Sequence, residues 1–195
     1  CGAVNYHLSE HEKGLERMRQ NIDAWWPAIE AGAEAIIMTA SGCGAMVQDY
    51  GHLLKDDPVY AAKAQKVSEL CTDLGAFLLK QDLEKLKVRQ DPGKVAFHCP
   101  CTLQHAMKQN GVVEQVLTRA GVNLAATKDK HLCCGSAGTY SVTQPEMSQK
   151  LLGNKLKALT VDNPDRIVTA NIGCQMHLET KSPVPVQHWI ELLDQ

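Results

Sequence analysis

Aromatic residues are scarce in this chain of 195 residues, with two Phe, four Tyr and three Trp. A stacking platform for bases needs more of them, set beside a basic groove. No such groove is encoded: 20 Lys and Arg face 22 Asp and Glu, for a formal net charge of -2. Nucleic acid is therefore not an expected partner. Long apolar runs are missing too. The best candidate, residues 33–47, is interrupted by Glu34, Thr39, Ser41, Gly42 and Gly44, so no transmembrane segment is expected. Nor does a basic start lead into an apolar signal core, so nothing directs the chain to secretion, and the expected location is cytoplasmic.

Against these absences stand eight cysteines in a chain that is 44% hydrophobic and able to bury a core without covalent help. Their spacing is not that of a small disulfide scaffold. In a reducing compartment such a cluster points to metal binding or redox chemistry. The chain begins at Cys1 rather than Met, and an upstream extension is expected.

Apolar residues between Ser9 and Gly32 (Leu15, Met18, Ile22, Trp25, Trp26, Ile29) recur at helical intervals. The run 35–40 lacks polar alternation and predicts a parallel strand buried on both faces. Residues 41–44 then read as a turn. A second long helix is expected from the Asp56-Asp57-Pro58 turn to about Leu86, and Gln90-Asp91-Pro92-Gly93 reads as a linker. Beyond it come a strand at 95–97, a helical stretch from Leu103 to Ala120 broken near Gly111, and a strand at 122–127. A helix from Pro145 to about Leu159, strands at 166–170 and 184–186, and a closing helix from Trp189 to Leu193 complete the pattern.

The halves repeat one another. Residues 35–43 align with 166–174 when Thr39 and Thr169 are paired and one residue is allowed for the loop, and Cys1-Gly2-Ala3 corresponds to Cys134-Gly135-Ser136. Alternating strands and helices predict an α/β fold: two tandem Rossmann-like repeats, each a short parallel sheet flanked by helices, with the cysteines at the C-terminal ends of the strands. The expected domains are 1–91, incomplete at its N-terminal side, and 92–195, complete.

Cys101, Cys133, Cys134 and Cys174 follow three different strands, so three loops would bring four thiols to one sheet edge. Iron favours thiolate, and four such ligands suit an iron-sulfur cluster. Neighbouring glycines would let the backbone approach a bulky group. Two other chemistries stay open on the residues alone: a thiol-disulfide enzyme cycling Cys133-Cys134, and a structural zinc scaffold.

Three stretches carry a family likeness: His98-Cys99-Pro100-Cys101, Leu132-Cys133-Cys134-Gly135-Ser136, and Asn171-Ile172-Gly173-Cys174 running to His177. They resemble the cysteine-rich Cys-Cys-Gly domain, a tandem pair in the heterodisulfide reductase B subunit, and look like the C-terminal half of the glycolate-oxidase type of iron-sulfur subunit. The resemblance implies an iron-sulfur cluster of the [4Fe-4S] kind, flavin-containing partner subunits that oxidise a 2-hydroxy acid such as glycolate, and a quinone or other membrane electron acceptor. A peripheral place on the inner face of the plasma membrane would follow from such an acceptor. It also implies upstream ferredoxin-like motifs. Where the reductase relatives end each repeat with Cys-x-x-Cys, this chain has Cys174 followed by His177, so a four-thiolate centre or one with His177 as a ligand fits. In the first repeat only Cys1 and Cys43 remain, with Met46 or Val47 at the last ligand position.

Other candidates read more plainly. Cys71, among Val67, Leu70 and Leu74, is expected to be a buried inert thiol on a helix. Cys99 offers a second thiol beside Cys101, and its role stays open. His52, His131 and His188 read as surface or satisfied histidines, whereas His98 and His105 flank Cys101 and are candidates for a hydrogen bond to the centre.

Overall fold

The structure is a computed structural model, and it describes residues 1–83 and 92–193. The start of the expected linker and the end of the expected second helix, from 84 to 91, lie outside the described residues. The chain divides into two compact units, Cys1–Leu74 and Gly75–Gln195.

In the first unit a short helix α1 (Ala3–His7) precedes the long α2 (His11–Glu30), whose apolar stripe buries Met18 and Ile22 completely. Then come β1 (Ile36–Met38), α3 (Ser41–Gln48), α4 (Tyr50–Leu53), α5 (Ala61–Leu70) and β2 (Cys71–Asp73). The two strands pair in parallel, Ile36 with Cys71 and Met38 with Asp73. Val47, Tyr50, Ala64 and Val67 close the core around Met18 and Ile22.

Three expectations are corrected here. The second long helix is interrupted: β2 replaces its middle, and the short α6 (Leu74–Leu78) follows. Helical periodicity of Val67, Leu70 and Leu74 concealed a strand whose backbone bonds are satisfied by β1, a tertiary partner invisible in a local window. Residues 41–44 are not a turn but the first turn of α3. And β1 is not buried on both faces, since Ile37 is 40% exposed.

The second unit is built on β3 (Lys94–His98), β4 (Asn123–Leu124), β5 (Arg166–Thr169) and β6 (Val186–His188), all parallel, in the order β4-β3-β5-β6. Four of the five β3 residues and three of the four β5 residues are buried, as two-faced burial in a parallel sheet demands. A π-helical turn (Thr102–Ala106) and α7 (Val112–Arg119) link β3 to β4, with Gly111 at φ +80° between them. The strand expected at 122–127 shrinks to Asn123 and Leu124. Next are α8 (Tyr140–Thr143), α9 (Pro145–Leu159, the predicted span), α10 (Ile172–Glu179) and a closing 3-10 turn (Trp189–Leu192). The chain leaves β3 toward β4 on one side and returns to β5 on the other, so the order reverses between β3 and β5. Loops diverge at such a point and leave a crevice at the strands' C-terminal ends.

The internal repeat is visible in the backbone. Cys43 and Cys174 are each the third residue of the helix that follows a strand, α3 after β1 and α10 after β5. Gly2 (φ +83°) and Gly135 (φ +94°) each follow a cysteine in the left-handed region, where a Cβ would come within 2.7 Å of Gly14 O and 2.5 Å of Ser148 O respectively. These positions require glycine both conformationally and sterically.

Candidate metal centre

Each of the four principal cysteines of the second unit sits where the sheet delivers it. Strand β3 ends at His98, and Cys101 opens the π-helical turn, a local form that recurs at functional sites. Strand β5 ends at Thr169, and Cys174 lies in the first turn of α10, where backbone amides lack helical partners. Cys133 and Cys134 occupy the irregular loop between β4 and α8. All eight cysteines are free thiols.

The four thiols shift one another's acidity: Cys101 with Cys133, and Cys134 with both Cys133 and Cys174. Cys133 and Cys174 are held below the usual thiol range by these neighbours, whereas Cys101 and Cys134 are pushed above it by the same neighbours and by burial. Thiols this strongly linked titrate as a group. The backbone N–H of Gly135 donates to Cys133 Sγ at 3.3 Å, and Asn171 Nδ2 donates to Cys174 Sγ at 3.5 Å.

His98 completes the group. It is fully buried, and one ligand atom each from His98, Cys134 and Cys174 lie within 4.8 Å of one another. Neither ring nitrogen has a partner in hydrogen-bonding geometry, although the ring is close enough to Cys174 to help hold that thiol down. Across the ladder His98 pairs with Thr169, whose buried hydroxyl is also unpartnered. An unpaired buried polar atom costs roughly 1–3 kcal/mol. Three of them beside four thiols, at the reversal of strand order, fit a bound polar or ionic group. Thiolate and imidazole donors without a carboxylate suit iron-sulfur or zinc chemistry rather than a hard cation.

Helix α9 supports the cysteine loop. Ser148 Oγ donates to Gly135 O at 2.8 Å, and Lys155 Nζ donates to Lys130 O at 3.1 Å and Asp129 O at 3.4 Å. Ser148, Leu152 and Lys155 follow one another at four- and three-residue steps on a single helical face, and all are buried. Sequence reasoning placed α9 but missed both polar supports. The available signal was two polar residues on its apolar stripe.

The remaining candidates separate cleanly. His177 Nε2 is 3.1 Å from Ser148 Oγ, so it engages the support behind the Gly135 loop. Cys99 is buried and pushed up to about 11, mainly by burial, and its sulfur lies 4.0 Å from Pro100 O. Cys71 is buried and also pushed up to about 11 by burial, as an inert thiol would be, though on a strand. His52, His105 and His131 are exposed, and His188 caps the closing turn through Ile190 N. Cys1 and Cys43 lie in the first unit, half-buried. Tyr50 Oη donates to Cys1 O at 2.9 Å, and Met46 and Val47 are core residues. Among the described residues, the one group of three or more metal-type donor residues within ligating distance is His98, Cys134 and Cys174. No helix of the described residues is long and apolar enough to cross a membrane.

A family model described as "Cysteine-rich domain" matches residues 1–48 and 95–179, which include all six cysteines named as candidates. Over its whole length the chain is 60% identical to the glycolate oxidase iron-sulfur subunit of Escherichia coli K12, covering 48% of that protein. Over 92% of its length it is 33% identical to the probable glycolate oxidase iron-sulfur subunit of Bacillus subtilis 168, covering 40% of it. It is also 24% identical, over its whole length and 82% of the relative, to lactate utilization protein A of Geobacillus thermodenitrificans NG80-2. The chain thus spans about half, or less, of the two glycolate oxidase subunits it resembles.

Proposed function

The chain belongs to the cysteine-rich domain family, and from that premise we propose that it is the cluster-holding part of an iron-sulfur electron-transfer subunit in a flavin-dependent 2-hydroxy-acid dehydrogenase, with glycolate as the substrate of the partner subunits. The observation that carries this reading is the meeting of Cys134 and Cys174, from two separate loops, with His98 inside 4.8 Å, beside Cys101 and Cys133, whose acidity is linked to theirs. The names of the similar proteins support the choice of complex.

In this reading the four thiolates hold a [4Fe-4S] cluster, which when bound accepts and releases single electrons. The protein's part is to hold and insulate. Cys134 is 2% exposed and Cys174 7% exposed, so these two sulfurs are kept from water, while Cys101 and Cys133 are partly exposed. Gly135 N and Asn171 Nδ2 supply hydrogen bonds to sulfur, a recognised means of adjusting reduction potential. A flavin releases two electrons, so the subunit would pass them one after the other toward a quinone-type acceptor. Location is cytoplasmic, at the inner face of the membrane that contains the acceptor. Residues 1–91 and 92–195 are two repeats of one ancestral unit, and Cys1 and Cys43 are the ligand positions left in the first.

The test is anaerobic purification of the full-length complex. Iron and acid-labile sulfide bound to wild type, and lost from this site in Cys134→Ser with flavin reduction by glycolate intact and delivery to an artificial quinone abolished, is the expected result. Unchanged quinone reduction in that variant would overturn it. Zinc at full occupancy in protein matured with its own cluster machinery would do the same.

A further inference from the structure

Lys155 is the least expected residue of the second unit. A lysine ammonium is rarely buried without a paired anion, yet Lys155 is 1% exposed. Among the described residues no carboxylate lies within ion-pairing distance of it, and its bonded partners are the neutral carbonyls of Asp129 and Lys130. Those carbonyls belong to the loop that runs to Cys133 and Cys134. The far end of the same loop is fastened to the same helical face, where Ser148 binds Gly135 O. The two vicinal cysteines therefore lie between two attachments to α9, one of which is a cation.

We infer that Lys155 is the fixed counter-charge of the thiolate centre and raises its reduction potential. The inference rests on the redox reading above. The step concerned is the gain of one electron from the flavin donor and its loss to the quinone-type acceptor; no bond forms or breaks, and Lys155 keeps its proton throughout. Each added electron makes the buried centre one unit more negative. In a low-dielectric interior a nearby positive charge lowers the cost of that change far more than it would in water. Burial pulls the ammonium below its usual value, and the nearby thiols Cys101, Cys134, Cys99 and Cys133 oppose that pull.

The experiment is a redox titration of the anaerobically purified holoprotein followed by EPR, with iron and sulfide measured on each sample. Four variants are compared: Lys155→Met, Lys155→Gln, Lys155→Arg, and Lys157→Met, which removes the same charge from an exposed position on the same helix. The midpoint of both neutral Lys155 variants is expected to move negative at full iron content, with Lys155→Arg and Lys157→Met near wild type. Cluster loss in both neutral variants, with full loading in Lys155→Arg, would make Lys155 a fastener of the loop and overturn the inference. The inference is overturned if the midpoint of Lys155→Met or Lys155→Gln is unmoved at full loading, if Lys157→Met shifts as far, or if Lys155→Arg loses the cluster as well. Absence of iron and sulfide from wild type would instead refute the redox reading on which the inference stands.

Discussion

Gly135 and Ser148 hold each other from both sides: the Ser148 hydroxyl donates a 2.8 Å hydrogen bond to the Gly135 carbonyl, and a Cβ on Gly135 would come within 2.5 Å of the Ser148 carbonyl. This contact seats the cysteine loop on α9 with no room for a side chain.

Gly135→Ala should therefore be costly. It adds a left-handed backbone penalty of about 1–2 kcal/mol to a clash with backbone that has little freedom to move. Gly138 (φ +63°) has nothing within 4 Å of its Cβ position, so Gly138→Ala should show the backbone penalty alone. Urea unfolding of both variants checks this. Equal losses in the two would show that Ser148 does not press on Gly135.

His98→Leu is expected to act in opposite directions on two states of the protein. In metal-free protein it removes two unpartnered buried nitrogens, each costing roughly 1–3 kcal/mol, so thermal unfolding should occur at the same or a higher temperature. In the loaded protein it removes a group beside Cys134 and Cys174, so iron should be lost to a chelator faster. A metal-free variant less stable than wild type would contradict this account of the imidazole.

Asp57 contributes an acid-sensitive term in the first unit. Its carboxylate lies below the usual value first because it accepts the backbone N–H groups of Tyr60 and Val59, and then because of the Arg19 guanidinium at 2.9 Å. A carboxylate lowered by folding stabilises the native state fully above its unfolded value and loses that contribution as pH falls through the folded one. Asp57→Asn should accordingly be less stable than wild type at neutral pH, with the difference narrowing below about pH 4. Denaturant midpoints across that range measure it, and a difference constant with pH would refute the assignment.

Much of this protein was legible before its fold. The α2 and α9 stripes, the buried central strands, the α/β class and the tandem repeat depend on period and composition, which act along the chain within a few residues of each position. The placing of Cys101, Cys133, Cys134 and Cys174 in loops that follow the strands was also legible, because strand and loop segments can be read from local pattern. The strand Cys71–Asp73 was not, since its pairing with Ile36–Met38 is a bond to a segment distant in sequence. Neither was the difference between Cys99 and Cys101: two residues apart, one thiol is pushed up mainly by burial and the other mainly by its neighbour Cys133.

The sequence by itself determined the long helical stripes, the central strands of the second unit, and which cysteines fall in the loops after those strands. Only tertiary structure decided what surrounds them: His98 without a polar partner, His177 bonded to Ser148, and Lys155 buried beneath the cysteine loop. The physical reason is that burial, hydrogen-bond satisfaction and the effective strength of a charge depend on neighbours brought together in space. Local periodicity records which face of a helix turns inward but not what that face will meet.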